Sequence, residues 1–161
     1  MNGELSIRVA DRHDLPDLQA LYRQIAETEY ALETPHRPLL RPIAERIQDL
    51  CGHLDDLGSP ACCWLVAEGP LHLIGSVCVR PIVPSPLAVP VMEIRDVVVD
   101  RNHRRRGIGG ALLERAFAWG REHGMRGATL DVAEANTTAL RLYQEHGMYP
   151  TGLTLARDLA G

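Results

Sequence analysis

An apolar strand pattern, VMEIRDVVVD at 91–100, runs through the turn RNHRRRGIGG into an amphipathic helix, ALLERAFAWGREHG, that Gly124 stops. Such a stretch must fold as one βα unit, with the helix start exposed at the end of the strand. A helix N-terminus carries unpaired N–H groups and partial positive charge, and glycine lets a ligand reach the backbone without meeting a Cβ. Arg101, Arg104, Arg105 and Arg106 gather at this turn although the chain's formal net charge is −4. A phosphate site and a solvated charge run before an ordinary helix both fit these residues on local grounds.

All 17 basic residues are arginine. Without lysine the turn cannot be a Walker-type loop, and no lysine can serve as a Schiff base or general base. A dinucleotide fingerprint would need glycine where Leu112 stands, and would open a longer series of βα units than the remaining residues allow. Only 4% of residues are aromatic, too few for base-stacking platforms, and the acidic balance argues further against nucleic acid as a partner. No apolar run approaches the roughly 18 residues that cross a membrane. The N-terminal MNGELSIRVADRHD has no apolar h-region, which leads us to expect a cytoplasmic protein. Cys51, Cys62, Cys63 and Cys78 lack metal-type spacing and read as reduced, mostly core thiols, with Cys62 and Cys63 on opposite faces of a strand. The seven histidines include no pair at helical ligand spacing, so no metal site is expected.

The rest of the chain reads as a single domain over 1–161. LSIRVA (5–10) alternates as a strand, and 14–29 carry Leu15, Leu18, Leu21, Tyr22 and Ile25 at helical spacing. TPHRPLLRP (34–42) is a proline-broken connection. A second helix follows through Ile43, Ile47, Leu50 and Leu54, ending near Gly58. ACCWLVAE (61–68) and LIGSVCVRPIV (73–83) are strands joined through Gly69 and Pro70, and PSPLAVP (84–90) is a proline-rich loop. ATLDVAE (128–134) is a strand. Asn136 can cap a helix carrying Ala139, Leu142, Tyr143 and His146 that stops at Gly147. YPTGLTLARDL (149–159) supplies one or two closing strands. The order β-α-α-β-β-β-α-β-α-β defines a mixed α/β (α+β) domain.

R-x-x-G-x-G, at Arg104 through Gly109, resembles the acetyl-CoA pyrophosphate loop of the GNAT N-acetyltransferases. VVVD at 97–100 resembles that family's pantetheine-pairing strand. N-x-x-A-x-x-L-Y, at Asn136, Ala139, Leu142 and Tyr143 and followed by EHGM, resembles its second cofactor motif. The resemblance spans essentially the whole chain and is most specific over 93–148. It implies a GNAT-like domain with a central mixed, mostly antiparallel sheet flanked by about four helices.

It further implies acetyl-CoA as cosubstrate and coenzyme A as product. The diphosphate would lie on the backbone of Arg104, Arg105, Arg106, Gly107, Ile108, Gly109, Gly110 and Ala111. Val97, Val98 and Val99 would lend main-chain groups to the pantetheine. Asn136 would contact the cofactor or cap its helix. Tyr143 would protonate the leaving thiolate, the alternative being a helix-face tyrosine that packs its ring and wets its hydroxyl. Glu93, eleven residues before Arg104, resembles the catalytic glutamate of the histone-acetyltransferase branch; an exposed or ion-paired glutamate fits equally, and ordered water to any carboxylate would also serve. The expected activity is N-acetylation of a small-molecule or protein amine by direct attack in a ternary complex. The alternative is a catalytically silent acyl-CoA-binding or regulatory module. Acceptor specificity should lie in the first two helices, residues 84–90 and the C-terminal strands. Glu27, Glu29, Glu33, Asp55 and Asp56 either attract a cationic amine or form solvated helix faces. The resemblance also admits a homodimer.

Overall fold

A computed structural model of the chain describes residues 5–32, 41–82, 89–155, 157 and 159. The expected positions Glu33, Val83 and 34–40, with most of the 84–90 loop, lie outside these residues. Among the described residues the order is β1 (Ile7–Val9), α1 (Leu15–Leu32), α2 (Ile43–Gly52), β2 (Cys63–Glu68), β3 (Leu73–Pro81), β4 (Val91–Val99), α3 (Ile108–Glu122), β5 (Gly127–Thr129) and α4 (Thr137–Glu145). One five-stranded sheet runs β1-β2-β3-β4-β5, antiparallel except for the parallel β4–β5 pair.

β2 shows why the sheet needs cover on both sides. Its CWLVAE run has no polar alternation, and its side chains enter two separate cores. Trp64 and Val66 join Leu18, Tyr22, Leu54 and Val98 under α1 and α2. Leu65 and Ala67 join Ile94, Leu112, Leu113 and Ala116 under α3. Cys62 and Cys63 do fall on opposite faces, one against each core, and all four thiols are free. α3 buries Ile108, Leu112, Ala116 and Gly120 at intervals of four, the stripe expected of a helix on a sheet.

Two departures from the sequence reading matter. β4 is bulged: Ser76 pairs with Val98 but Cys78 with Arg95, so one residue of β3 faces Asp96 and Val97 together. Asp96 takes φ +53 there, a conformation aspartate tolerates better than most residues. The described residues of 149–159 form no closing strand. Leu153 and Leu155 remain about nine-tenths exposed: the apolar alternation is present, but among the described residues it pairs with no strand of the sheet.

Candidate functional site

The parallel ladder between β4 and β5 runs only from Val91↔Gly127 to Glu93↔Thr129. β4 continues to Val99, so its outer edge lies open from Ile94 onward. The strand expected over 128–134 is shortened for the same reason: β5 leaves β4 after Thr129. Backbone groups on a strand alternate between its two edges. Asp100 N–H bonds the Ile74 carbonyl of β3 at 2.9 Å, so Val99 turns its groups to the open side. There Arg104 Nε donates to the Val99 carbonyl at 3.1 Å.

At the end of this edge the turn folds back in three steps. Asp100 caps a short 3-10 turn, Arg101–His103, by accepting Asn102 N–H at 3.0 Å. Arg105 and Gly107 then take φ +63 and +78. α3 begins after Gly107, which has no side chain to cap it, and the first helical bond is Ala111 N–H to the Gly107 carbonyl at 3.0 Å. Ala111 has therefore spent its donor. Ile108, Gly109 and Gly110 have not, and no protein group among the described residues accepts from their N–H groups. An unsatisfied helix start of this kind favours an anion. Arg105 and Arg106 are exposed beside it, with no acidic partner among the described residues. Arg101 is turned away to Glu27 of α1.

The glycines also admit α4. A Cβ on Gly109 would come within 3.1 Å of Leu142, and one on Gly110 within 2.8 Å of the His146 ring. His146 is tied to Glu114 at 2.8 Å. Asn136 caps α4, accepting Ala139 N–H at 3.2 Å. Tyr143, half-buried against the α3-side core, has its phenol pushed up to about 12 by burial and by the nearby Glu29 carboxylate. It stays protonated, a donor, through the neutral range.

On the other side of β4 the groups are side chains. Glu93 lies across from Arg80 of β3, whose Nε donates to it at 2.5 Å. Asp96 projects from the bulge toward α1 and α2. Its Oδ2 meets Tyr22 Oη at 3.0 Å and His53 Nδ1 at 3.0 Å, with the Arg95 guanidinium at 3.7 Å. Trp64 Nε1 donates to Tyr22 Oη at 2.6 Å. Burial, with Asp96 adding to it, pushes the Tyr22 hydroxyl and the neighbouring Cys78 thiol well up. Of the acids considered for attracting an amine, Glu27 and Glu29 are paired with Arg101 and Arg46. Nothing in local sequence spacing joins His53, Tyr22 and Asp96.

A second group also escaped the sequence reading. His72, Asp100 and His103 bring ligand-type atoms within 4.8 Å of one another. Asp100 is already used by the fold: burial opposes its ionisation, but hydrogen bonds from Gln24, His103 and Asn102 overcome this and hold it at about 2. A groove of about 390 Å³ lined by Gln19, Arg23, Ala44, Ile47, Gln48 and Cys51 shares no residue with the open edge or the turn.

An interrupted sheet whose open strand leads to an uncapped, glycine-rich helix start sets strand groups beside unpaired helix donors, a chemistry suited to an extended, phosphate-bearing ligand. The Acetyltransferase (GNAT) family model matches residues 18–148, and the chain belongs to that family. Human N-acetyltransferase 8 is 31% identical over 100 residues, covering 62% of this chain and 43% of the human protein. The match thus spans less than half of that relative's length. A tetramutant of the BH1408 protein from Bacillus halodurans superposes with TM-score 0.81 at 21% identity, over 96% of this chain and 99% of that one. Aminoglycoside N-acetyltransferase AAC(6')-Iy in complex with CoA gives TM-score 0.71 at 19% identity, over 100% and 98%. At these identities the two structures establish a shared fold.

Proposed function

We propose that the chain transfers an acetyl group from acetyl-CoA to a primary amine, of a small molecule or a protein, by direct attack in a ternary complex. The observation that carries this reading is the β4–β5 ladder that stops at Glu93↔Thr129 and leaves an edge ending in an uncapped helix start. The peptide-like pantetheine adds to that edge as a strand would, using the main chain of Val99 and, by the same alternation, Val97; the expected Val98 does not take part, because its groups are turned to Ser76 of β3. Val99 offers its carbonyl once Arg104 releases it. The diphosphate takes the N–H groups of Ile108, Gly109 and Gly110, with Gly107 shaping the turn and Arg105 and Arg106 neutralising charge. Asn136 acts by fixing the start of α4. Ala111 packs behind the donors instead of joining them.

The neutral amine attacks the thioester carbon, and the developing oxyanion accepts a strand N–H around Val97. Tyr143 serves the leaving sulfur. A phenol at about 12 is a weaker acid than an ordinary thiol at about 8.5. Its first contribution is therefore a hydrogen bond to the departing thiolate, with proton transfer following as the cleft excludes water from the sulfur. Glu93, the candidate base, is held by Arg80. Cytoplasmic residence and a homodimer belong to the same proposal; among the described residues no helix is long and apolar enough to cross a membrane.

Acetyl-CoA should raise the melting temperature by mass action, equivalent to about 2.7 kcal/mol at 100 times Kd. Thiol release should follow with at least one of spermidine, free lysine, an aminoglycoside and a lysine-bearing peptide. No thermal shift at millimolar acetyl-CoA would remove the cofactor from the proposal. Tyr143→Phe should lower kcat at least tenfold, about 1.4 kcal/mol of barrier, with acetyl-CoA affinity kept. Wild-type turnover in that variant would take the tyrosine out of the chemistry.

A further inference from the structure

We propose that His53, oriented by Asp96, is the base that takes the proton from the acceptor amine, an assignment that rests on the acetyltransferase reading. The hydrogen-bond directions on this face follow in sequence from Trp64. Its indole Nε1 can only donate, so Tyr22 Oη accepts that bond and spends its own proton on Asp96 Oδ2. A carboxylate only accepts, so the 3.0 Å contact from the same oxygen to His53 requires a proton on Nδ1. The neutral ring is thereby left with its lone pair on Nε2. Nothing among the described residues bonds that nitrogen, and the side chain keeps 37% of its surface exposed. An orienting carboxylate behind one ring nitrogen and an open lone pair on the other is the arrangement of a general base.

The position is as specific as the tautomer. Asp96 occupies the β4 bulge, just beyond the last β4–β5 pair at Glu93↔Thr129. The open edge begins past that pair, so the bulge lies toward its end far from the helix start. His53, which follows α2, meets Asp96 on the α1–α2 side of the sheet. The positive φ of Asp96 is a strained conformation of the kind that persists where surrounding contacts fix it, and it clusters at functional sites. Here Tyr22 and His53 supply the contacts. Glu93, the alternative base, spends an oxygen on Arg80 across the ladder.

The ammonium of the acceptor gives one proton to His53 Nε2 and becomes the nucleophile. The N–C bond forms and the C–S bond breaks. Tyr143 gives its proton to the departing sulfur and takes up the nitrogen's second proton in its place, and the imidazolium returns its own to solvent, so amide, thiol and one proton are the products. The titratable and charged groups around Asp96 and His53 are the Arg95 guanidinium beside Asp96 on β4, Tyr22 from α1 and the buried Cys78 from β3, which both stay neutral, and Asp55 and Asp56, which follow His53 in the chain.

The test is His53→Gln, whose amide can still offer Asp96 an N–H but has no titratable base, assayed with the panel amine that gives the fastest thiol release. Turnover should fall about 100- to 10,000-fold, and the acid limb of the kcat/KM profile should disappear. Acetyl-CoA affinity and melting temperature should be kept. Imidazole added to His53→Ala should restore part of the rate, and Asp96→Asn should displace the acid limb. His53→Gln within threefold of wild type, with its acid limb intact, overturns the proposal. So does loss of that limb in Glu93→Gln instead. A wild type that binds acetyl-CoA yet acetylates none of the four amines overturns the transferase reading and this base with it, a result told apart by the activity of the wild type alone.

Discussion

Along the open edge of β4 the groups facing the cleft are main-chain atoms: strand carbonyls and amides, then the N–H groups of Ile108, Gly109 and Gly110 at a helix start that no side chain caps. On the opposite face of the same strand the work falls to Trp64, Tyr22, Asp96 and His53, drawn from four elements and linked by three hydrogen bonds of 2.6–3.0 Å. On the first flank a substitution that keeps the backbone path keeps the donors, but Gly109 and Gly110 have little room for a Cβ beside Leu142 and His146. The second fails when one hydroxyl is lost, since a buried polar atom without a partner costs more than its bond contributes.

Tyr22→Phe is the largest stability change this contrast predicts. It strands the Trp64 indole N–H, whose residue is 1% exposed, and removes a donor from Asp96. Urea unfolding should show a loss of about 1–3 kcal/mol, with acetyl-CoA affinity unchanged. A fall in cofactor affinity would mean that the two flanks are coupled. Gly107→Ala should come next. Its φ of +78 penalises an L side chain by about 1–2 kcal/mol. Calorimetry should show acetyl-CoA binding weakened as well, because the turn itself aims the donors; unchanged binding would show that the backbone path survives a side chain there.

The smallest effect is acid sensitivity. Asp100 is held at about 2, below the usual carboxylate range near 3.9, and the Arg8 guanidinium likewise lowers Asp14 against the opposition of burial. Both folded values are depressed, so the stabilisation is present above the usual carboxylate range and is lost as pH falls below it, for Asp100 down through about 2. Thermal melts from pH 5 to pH 2 should show this loss, and Asp100→Asn should flatten part of the slope.

Much of the cofactor flank was legible in advance because its information is local. Arg104 to Gly110 are contiguous, Gly124 and Gly147 end their helices at φ +77 and +82, and Asn136 stands where a cap belongs. The limits of β5 were not, since a strand needs a partner and β4 diverges after Thr129. The 149–159 alternation misled for the same reason.

What the sequence by itself determined is the order of elements as far as α4 and a lysine-free turn of glycine and arginine at the start of α3. These follow from periodicity, capping and composition, which act over a few residues. Only the tertiary structure decided that Arg101 belongs to Glu27, that Glu93 belongs to Arg80, and that a bulge in β4 turns Asp96 to Tyr22 and His53, 74 and 43 residues away in the chain. Side-chain pairing depends on where strands and helices meet, and no short-range pattern encodes that meeting.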